Sequence, residues 1–176
     1  THAVGVRRTW AVHRTLPVVR QWTTVSNTGR AGLKLHRIDS FRLRLAPVAE
    51  DLELSWINNY CRGLKPSPSH PVHRRTVGTN SRHHVETGPY SPDCAWFTLE
   101  VPGTGAGITG GWEWSGPVSV GFGDWDGPCL VNGGLASEGM EEPLAPGTSF
   151  RAPAGWYGFH ADGIEGAARL AAAFTA

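Results

Sequence analysis

Short runs of alternating apolar residues, cut by glycine and proline, fill this chain almost to its end. The first, Val4-Val6-Arg8-Trp10-Val12, alternates as a half-buried strand should. VVRQWTTVS, from Val18, does the same and stops at NTGRAG, a turn signal with two glycines. LKLHRIDSFRLRL predicts a long strand over 33–45. Leu33, Leu35, Phe41, Leu43 and Leu45 share one face and Arg42 and Arg44 the other, with a change of phase at 38–40 that calls for a bulge. LELSWIN is a further strand. CAWFTLEV, GITGGWEWSG, PVSVGFGDW, PCLVNGG and TSFRAPAGWYGFH are shorter candidates between Gly/Pro turns. With 23 glycines and 13 prolines in 176 residues, the composition suits many short strands. The expectation is an all-β fold of two stacked antiparallel sheets.

Two segments break this rhythm. NNYCRGLKPSPSHPVHRRTVGTN reads as a long irregular loop rich in proline, histidine and basic residues, the kind of connection that is usually functional. At the other end, composition switches at Ile164 to Ala, Glu, Arg and Leu, which favour helix. Asp162 stands at an N-cap position and Glu165 completes a capping-box-like start. The expected organisation is a β-domain over 1–162 and, over 163–176, the start of a linker helix leading to a further domain.

Net charge is +1, unevenly distributed. Through Tyr90 there are 14 Lys and Arg against 5 Asp and Glu, a net of +9; from Ser91 there are 2 against 10, a net of −8. The arginines are spread along strands without the aromatic-plus-basic cluster of a nucleic-acid module, so basic and acidic strands are expected to neutralise one another within the sheets. No nucleic-acid partner is expected, and no apolar run is long enough to span a bilayer. Cys61, Cys94 and Cys129 are odd in number and widely spaced, which implies neither a disulfide framework nor a zinc site and points to a reducing, cytoplasmic compartment.

Local motifs give little chemistry. His70, His73, His83 and His84 lack the spacing of a metal site, and no metal or cofactor is expected. Asp124-Trp-Asp126, with Glu113 upstream, could pair carboxylates for glycosidic acid/base work, but DWDGP reads better as an Asx-type turn. A nucleophile elbow and a phosphate-cradling loop are both lacking from the sequence. The eight tryptophans say more, because indole faces stack well on the C–H faces of sugar rings. Trp10, Trp22 and Trp96 fall in alternating strands and are expected in the core. Trp56, Trp112, Trp114 and Trp125 sit near the long loop or in Gly-rich surroundings and could line a groove.

In order, three segments resemble the N-terminal domain of glycoside hydrolase family 36, the α-galactosidase family. PVVRQWTTVSNTGRAGLKLHRIDSFRLRL is similar to its leading strand, N-x-G turn and S-x-x-L-x-L strand. WEWSGPVSVGFG is similar to its W/Y-S-G strand, and LAPGTSFRAPAGWYGFHADGIEGAARLAAAF to its closing segment. The resemblance runs over 17–174 and implies a β-supersandwich of the galactose-mutarotase-like type. It also implies a retaining hydrolase as parent, whose two catalytic aspartates lie on a following (β/α)8 barrel and have no counterpart in this sequence. Expected partners are that downstream catalytic domain, its carbohydrate substrate and further copies in a homo-oligomer. Residues expected at the rim of the substrate pocket are Trp56, Asn58, Asn59, His70, Arg74 and Arg75, with Trp112 and Trp114 as aromatic platforms; Arg and Asn suit sugar hydroxyls through multi-donor hydrogen bonding. The Pro- and His-rich segment over 64–84 departs from the family's usual connection. Two other readings compete: an autonomous carbohydrate-binding module built on exposed tryptophans, and a mutarotase-like epimerase pairing His160 with Glu113 or Asp124 in one cleft.

Overall fold

The computed structural model describes residues 3–45, 51–58, 72–78, 81–87, 93–123, 130–135 and 140–176. They form fourteen strands and one helix in chain order. The strands are β1 (Val4–Val12), β2 (Val18–Asn27), β3 (Leu33–Leu35), β4 (Ile38–Arg44), β5 (Leu52–Asn58), β6 (Val72–Val77), β7 (His83–Thr87), β8 (Asp93–Glu100), β9 (Gly107–Trp112), β10 (Val118–Phe122), β11 (Leu130–Leu135), β12 (Glu142–Leu144), β13 (Ser149–Arg151) and β14 (Gly155–His160). The helix is α1 (Gly163–Thr175).

Twelve strands join in one sheet whose path runs β1-β2-β14-β9-β8-β7-β10-β11-β4, with β13 on β2 and with β5 and β6 branching from β8. β12 and β3 make a separate two-stranded sheet. All pairings are antiparallel except one parallel contact, Thr87 opposite Asp93, between β7 and β8. That contact makes a single curled sheet of what the pattern predicts as two stacked ones. The stacking itself is present: Leu54, Phe97, Leu99 and Ile108 from one half meet Phe41, Val85, Val120, Phe122 and Val131 from the other in one buried cluster. The Thr23 hydroxyl on β2 donates to the Asp39 carbonyl on β4 at 2.8 Å, joining distant parts of the path.

Most predicted strands are present, and three corrections have physical causes. The run over 33–45 divides into β3, which pairs with β12, and β4, which pairs with β11. Its expected bulge lies at Ser40, where Gly133 faces Phe41 and Gly134 faces Asp39. β6 lies within the expected irregular loop and β7 just after it, in a stretch for which no strand was expected; their charged and histidine-rich sequences hide strands that pair with β5 and β10. β1 is present, but it lacks a cover. Val4, Val6, Trp10 and Val12 are 48, 63, 56 and 75% exposed, because among the described residues nothing stacks on the apolar face of this edge strand. Trp10 is therefore outside the core.

The helix begins where expected, without the expected cap. Asp162 has φ 66°, a left-handed conformation, and its side chain makes no capping hydrogen bond. An N-cap normally has extended φ/ψ so that its oxygen reaches the first free N–H groups. Here the Asp162 carboxylate pairs with Arg169 Nη2 at 2.9 Å, while Gly163 N donates to the Gly105 carbonyl at 2.8 Å. Ala167 and Leu170 are buried, and Leu170 packs with Val18 and Trp156. No described helix is long and apolar enough to cross a membrane.

Candidate functional site

The rim candidates gather around Trp56 on β5. Its ring is half-buried and lies between two histidines: His73 on β6 stacks at 5.3 Å between centroids and 25°, and His83 on β7 approaches at 4.4 Å. Trp56 Nε1 donates to Asp93 Oδ1 at 3.2 Å. Strand pairing produces this stack, since Trp56 faces His73 directly in the β5–β6 register. Burial, reinforced by the nearby Arg75 guanidinium, pulls His83 below the ordinary histidine value. Arg75 Nη1 lies 3.4 Å from His83 Nδ1, and Arg74 reaches Glu53 at 3.5 Å. Both arginines are exposed. Trp56 and Arg75 thus share one face of β5–β6, while Arg74 projects from the other face beside Glu53. The backbone of Asn58 ends β5 opposite Asp93. Asn59, His70, Trp125, Asp124, Asp126, Cys61 and Cys129 lie outside the described residues.

Trp112 is not a platform. It is 7% exposed and stacks on Phe41 at 4.8 Å and 18°. A Cβ at Gly133 would lie 2.3 Å from its Cζ2, and one at Gly155 3.2 Å from its Nε1. The glycines that resemble exposed turn residues are in fact what admits the indole to the core.

Trp114, two residues on, follows the end of β9 and is 48% exposed. It lines a groove of about 410 Å³ together with Pro117, Leu135, Met140, Glu142, Phe150, Arg151 and Pro153. A Cβ at Gly116 would come 2.3 Å from Trp114 Nε1, so the indole lies against that glycine. Arg151 also covers the face of Trp22, its guanidinium 4.4 Å from the ring centroid. A second concavity, of about 400 Å³, is polar and includes Arg37, Arg42, Arg82 and His84; Arg37 Nε pairs with Asp39 at 2.8 Å. Nothing in the sequence marks it, because its arginines come from β4, from the residue just before it and from the approach to β7.

The acid/base pairing of His160 with Glu113 does not form. His160 faces Gly107 at one end of the β14–β9 ladder, whereas Glu113 follows Trp112 at the other, roughly 17–20 Å away along the strands. Glu113 is engaged by Arg20, whose Nε and Nη2 donate at 2.6 and 2.5 Å. His160 Nε2 and the Thr98 hydroxyl are 2.8 Å apart, and burial lowers the His160 pKa. Glu100, two strands over in the same register row, is raised by burial first and by Glu53 second. Among the described residues no group of three or more His, Cys, Asp or Glu could hold a metal ion.

No family model matches the chain. No curated protein sequence matches it either. Solved structures do. The galactosidase domain of an α-galactosidase–sucrose kinase superposes on 95% of this chain with TM-score 0.81 at 18% identity. A family 36 α-galactosidase from Geobacillus stearothermophilus gives the same coverage, TM-score and identity. The α-galactosidase from Lactobacillus brevis covers 97% with TM-score 0.83 at 16% identity. In all three the match occupies only 23% of the solved chain. The chain has the fold of one domain of the family 36 α-galactosidases, a domain that is under a quarter of each of those enzymes.

Proposed function

We propose that this chain is the non-catalytic β-domain of an α-galactosidase-like glycoside hydrolase. Its work is to brace the catalytic barrel and to contribute to the pocket rim or to contacts between subunits. One observation carries the reading: nearly the whole chain superposes on a minor part of much longer enzymes. The separation of His160 from Glu113 supports it against a mutarotase-like epimerase. In this reading the β-domain spans 1–162 and α1 leads on towards the barrel. The galactose-mutarotase-like description of the sheet and a cytoplasmic location belong to the same proposal.

Within it, the rim is the region of Trp56 and Arg75, where an aromatic ring and a guanidinium share one face of β5–β6, with Arg74 on the opposite face of the same strand. The partners are the catalytic domain, its carbohydrate substrate and further copies of the chain. The test compares hydrolysis of a nitrophenyl α-galactoside by this chain and by a longer polypeptide that carries it with a catalytic barrel. Turnover only by the longer polypeptide is expected. Turnover by this chain alone would overturn the reading and make Glu113, Asp124 and Asp126 the residues to change.

A further inference from the structure

The groove beside Trp114 is lined by two charged groups of opposite sign. Glu142, on β12, is a half-buried carboxylate; Arg151, on β13, is a guanidinium resting on Trp22. Among the described residues neither side chain has a hydrogen bond or an ion pair. A carboxylate only accepts hydrogen bonds and a guanidinium only donates them. The rest of the lining is apolar: Trp114, Pro117, Leu135, Met140, Phe150 and Pro153.

These features discriminate between ligand classes. An anion meets the Glu142 carboxylate, and a cation meets Arg151. A pure hydrocarbon would strip water from both charges without replacing its hydrogen bonds, which is costly. A hydroxyl both donates and accepts, so a ring carrying several hydroxyls answers Glu142 and Arg151 together. A pyranose also has an apolar C–H face that suits an indole. The groove volume of about 410 Å³ lies within the roughly 300–1,000 Å³ of small-molecule pockets, which likewise combine apolar walls with a few placed polar groups. The indole is already positioned against Gly116, so little ordering is left to be done on binding.

We propose that the Trp114–Glu142–Arg151 groove binds a neutral pyranose ring, stacked on the Trp114 indole with its hydroxyls bridging Glu142 and Arg151. This site is separate from the Trp56 region and does not rest on the accessory-domain reading. It holds for the chain by itself, whatever accompanies it.

The experiment is ligand-observed NMR on this chain with methyl α-galactopyranoside and raffinose, using sorbitol and inorganic phosphate as controls. Saturable, millimolar binding of the two glycosides is expected, with the strongest saturation transfer to ring C–H protons. Trp114→Ala should weaken it about tenfold or more, while Trp114→Phe, which keeps an aromatic face, should stay within a few fold of the parent. Glu142→Gln and Arg151→Gln should each weaken binding several fold while the protein stays folded, Glu142→Gln with an unchanged thermal midpoint and Arg151→Gln with a slightly lower one from loss of the Trp22 contact, which keeps the test decisive if Trp114→Ala fails to fold. The proposal is overturned if neither glycoside saturates, if phosphate or open-chain sorbitol binds as well, or if no substitution in the groove alters the affinity.

Discussion

Asn27 holds the turn after β2 together from a position only 1% exposed. Its Nδ2 donates to the carbonyls of Ala31 at 2.8 Å and Leu144 at 2.9 Å, and its Oδ1 accepts from Gly29 N at 3.0 Å. Asn27→Ala removes three hydrogen bonds and leaves two carbonyls and an N–H to find new partners. We expect a loss of about 2–3 kcal/mol in urea denaturation. The Arg20–Glu113 pair looks stronger on distance alone, but its side chains are 41 and 35% exposed. Water competes there, so Glu113→Gln should cost under about 1 kcal/mol. A larger loss for Glu113→Gln than for Asn27→Ala would reverse this order. The tryptophans show how far single residues can be read from sequence. Trp112 and Trp114 stand in one Gly-rich run, and the pattern around them treats both alike. They separate because β9 ends at Trp112, and because Gly133 and Gly155, remote in sequence, open the space that one indole fills. Alternation cannot see either fact.

At the scale of elements, strands with an apolar face and a turn after them were legible, as β2, β5, β8 and β14 show. β6 and β7 were not, since VHRRTV and HHVET carry only a thin apolar signal: Val77 and Val85 supply their core contacts. β1 shows the opposite failure, a clear pattern whose apolar face meets no second layer among the described residues. The helix was legible by composition, but its capping was not. Its start is fixed by close backbone approach: a Cβ at Gly166 would lie 1.7 Å from the Ala161 carbonyl, and one at Gly158 would lie 2.8 Å from Leu170 Cδ2. Gly166→Ala should therefore displace the first turn. Leu170→Ala, which empties the contact with Val18 and Trp156, should cost about 2–4 kcal/mol. Hydrogen exchange would separate these effects by element. In Leu170→Ala the amides of α1 should lose protection before those of β8 and β9. A simultaneous loss would mean that the helix and the sheet open as one unit.

For the whole molecule, His83, His160, Glu100 and Tyr157 set the response to pH. Both histidines lie below the ordinary value, mainly through burial; Arg75 adds to the effect at His83, while Asp93 opposes it. The folded state thus holds those protons less tightly than the unfolded chain. Their contribution is intact above the unfolded value of 6.5 and is lost as pH falls below it. Glu100 is raised above 4.5, so its contribution has the opposite sign and stability declines as pH rises from there. The two histidines outnumber it, and a net rise in stability is expected as pH climbs towards 6.5. Tyr157, raised by burial beside Phe41, adds an alkaline limb in which stability falls as pH climbs past 10. Urea denaturation across a pH series should show a rising acid limb, a plateau and a falling alkaline limb. His83→Gln and His160→Gln should each flatten the acid limb, and Tyr157→Phe the alkaline one. Glu100→Gln makes the sharpest check, because removing the opposing group should steepen the acid limb. A shallower limb in that variant would mean that Glu100 titrates below its ordinary value in the folded protein, with its carboxylate stabilised by Arg74 more than it is penalised by burial.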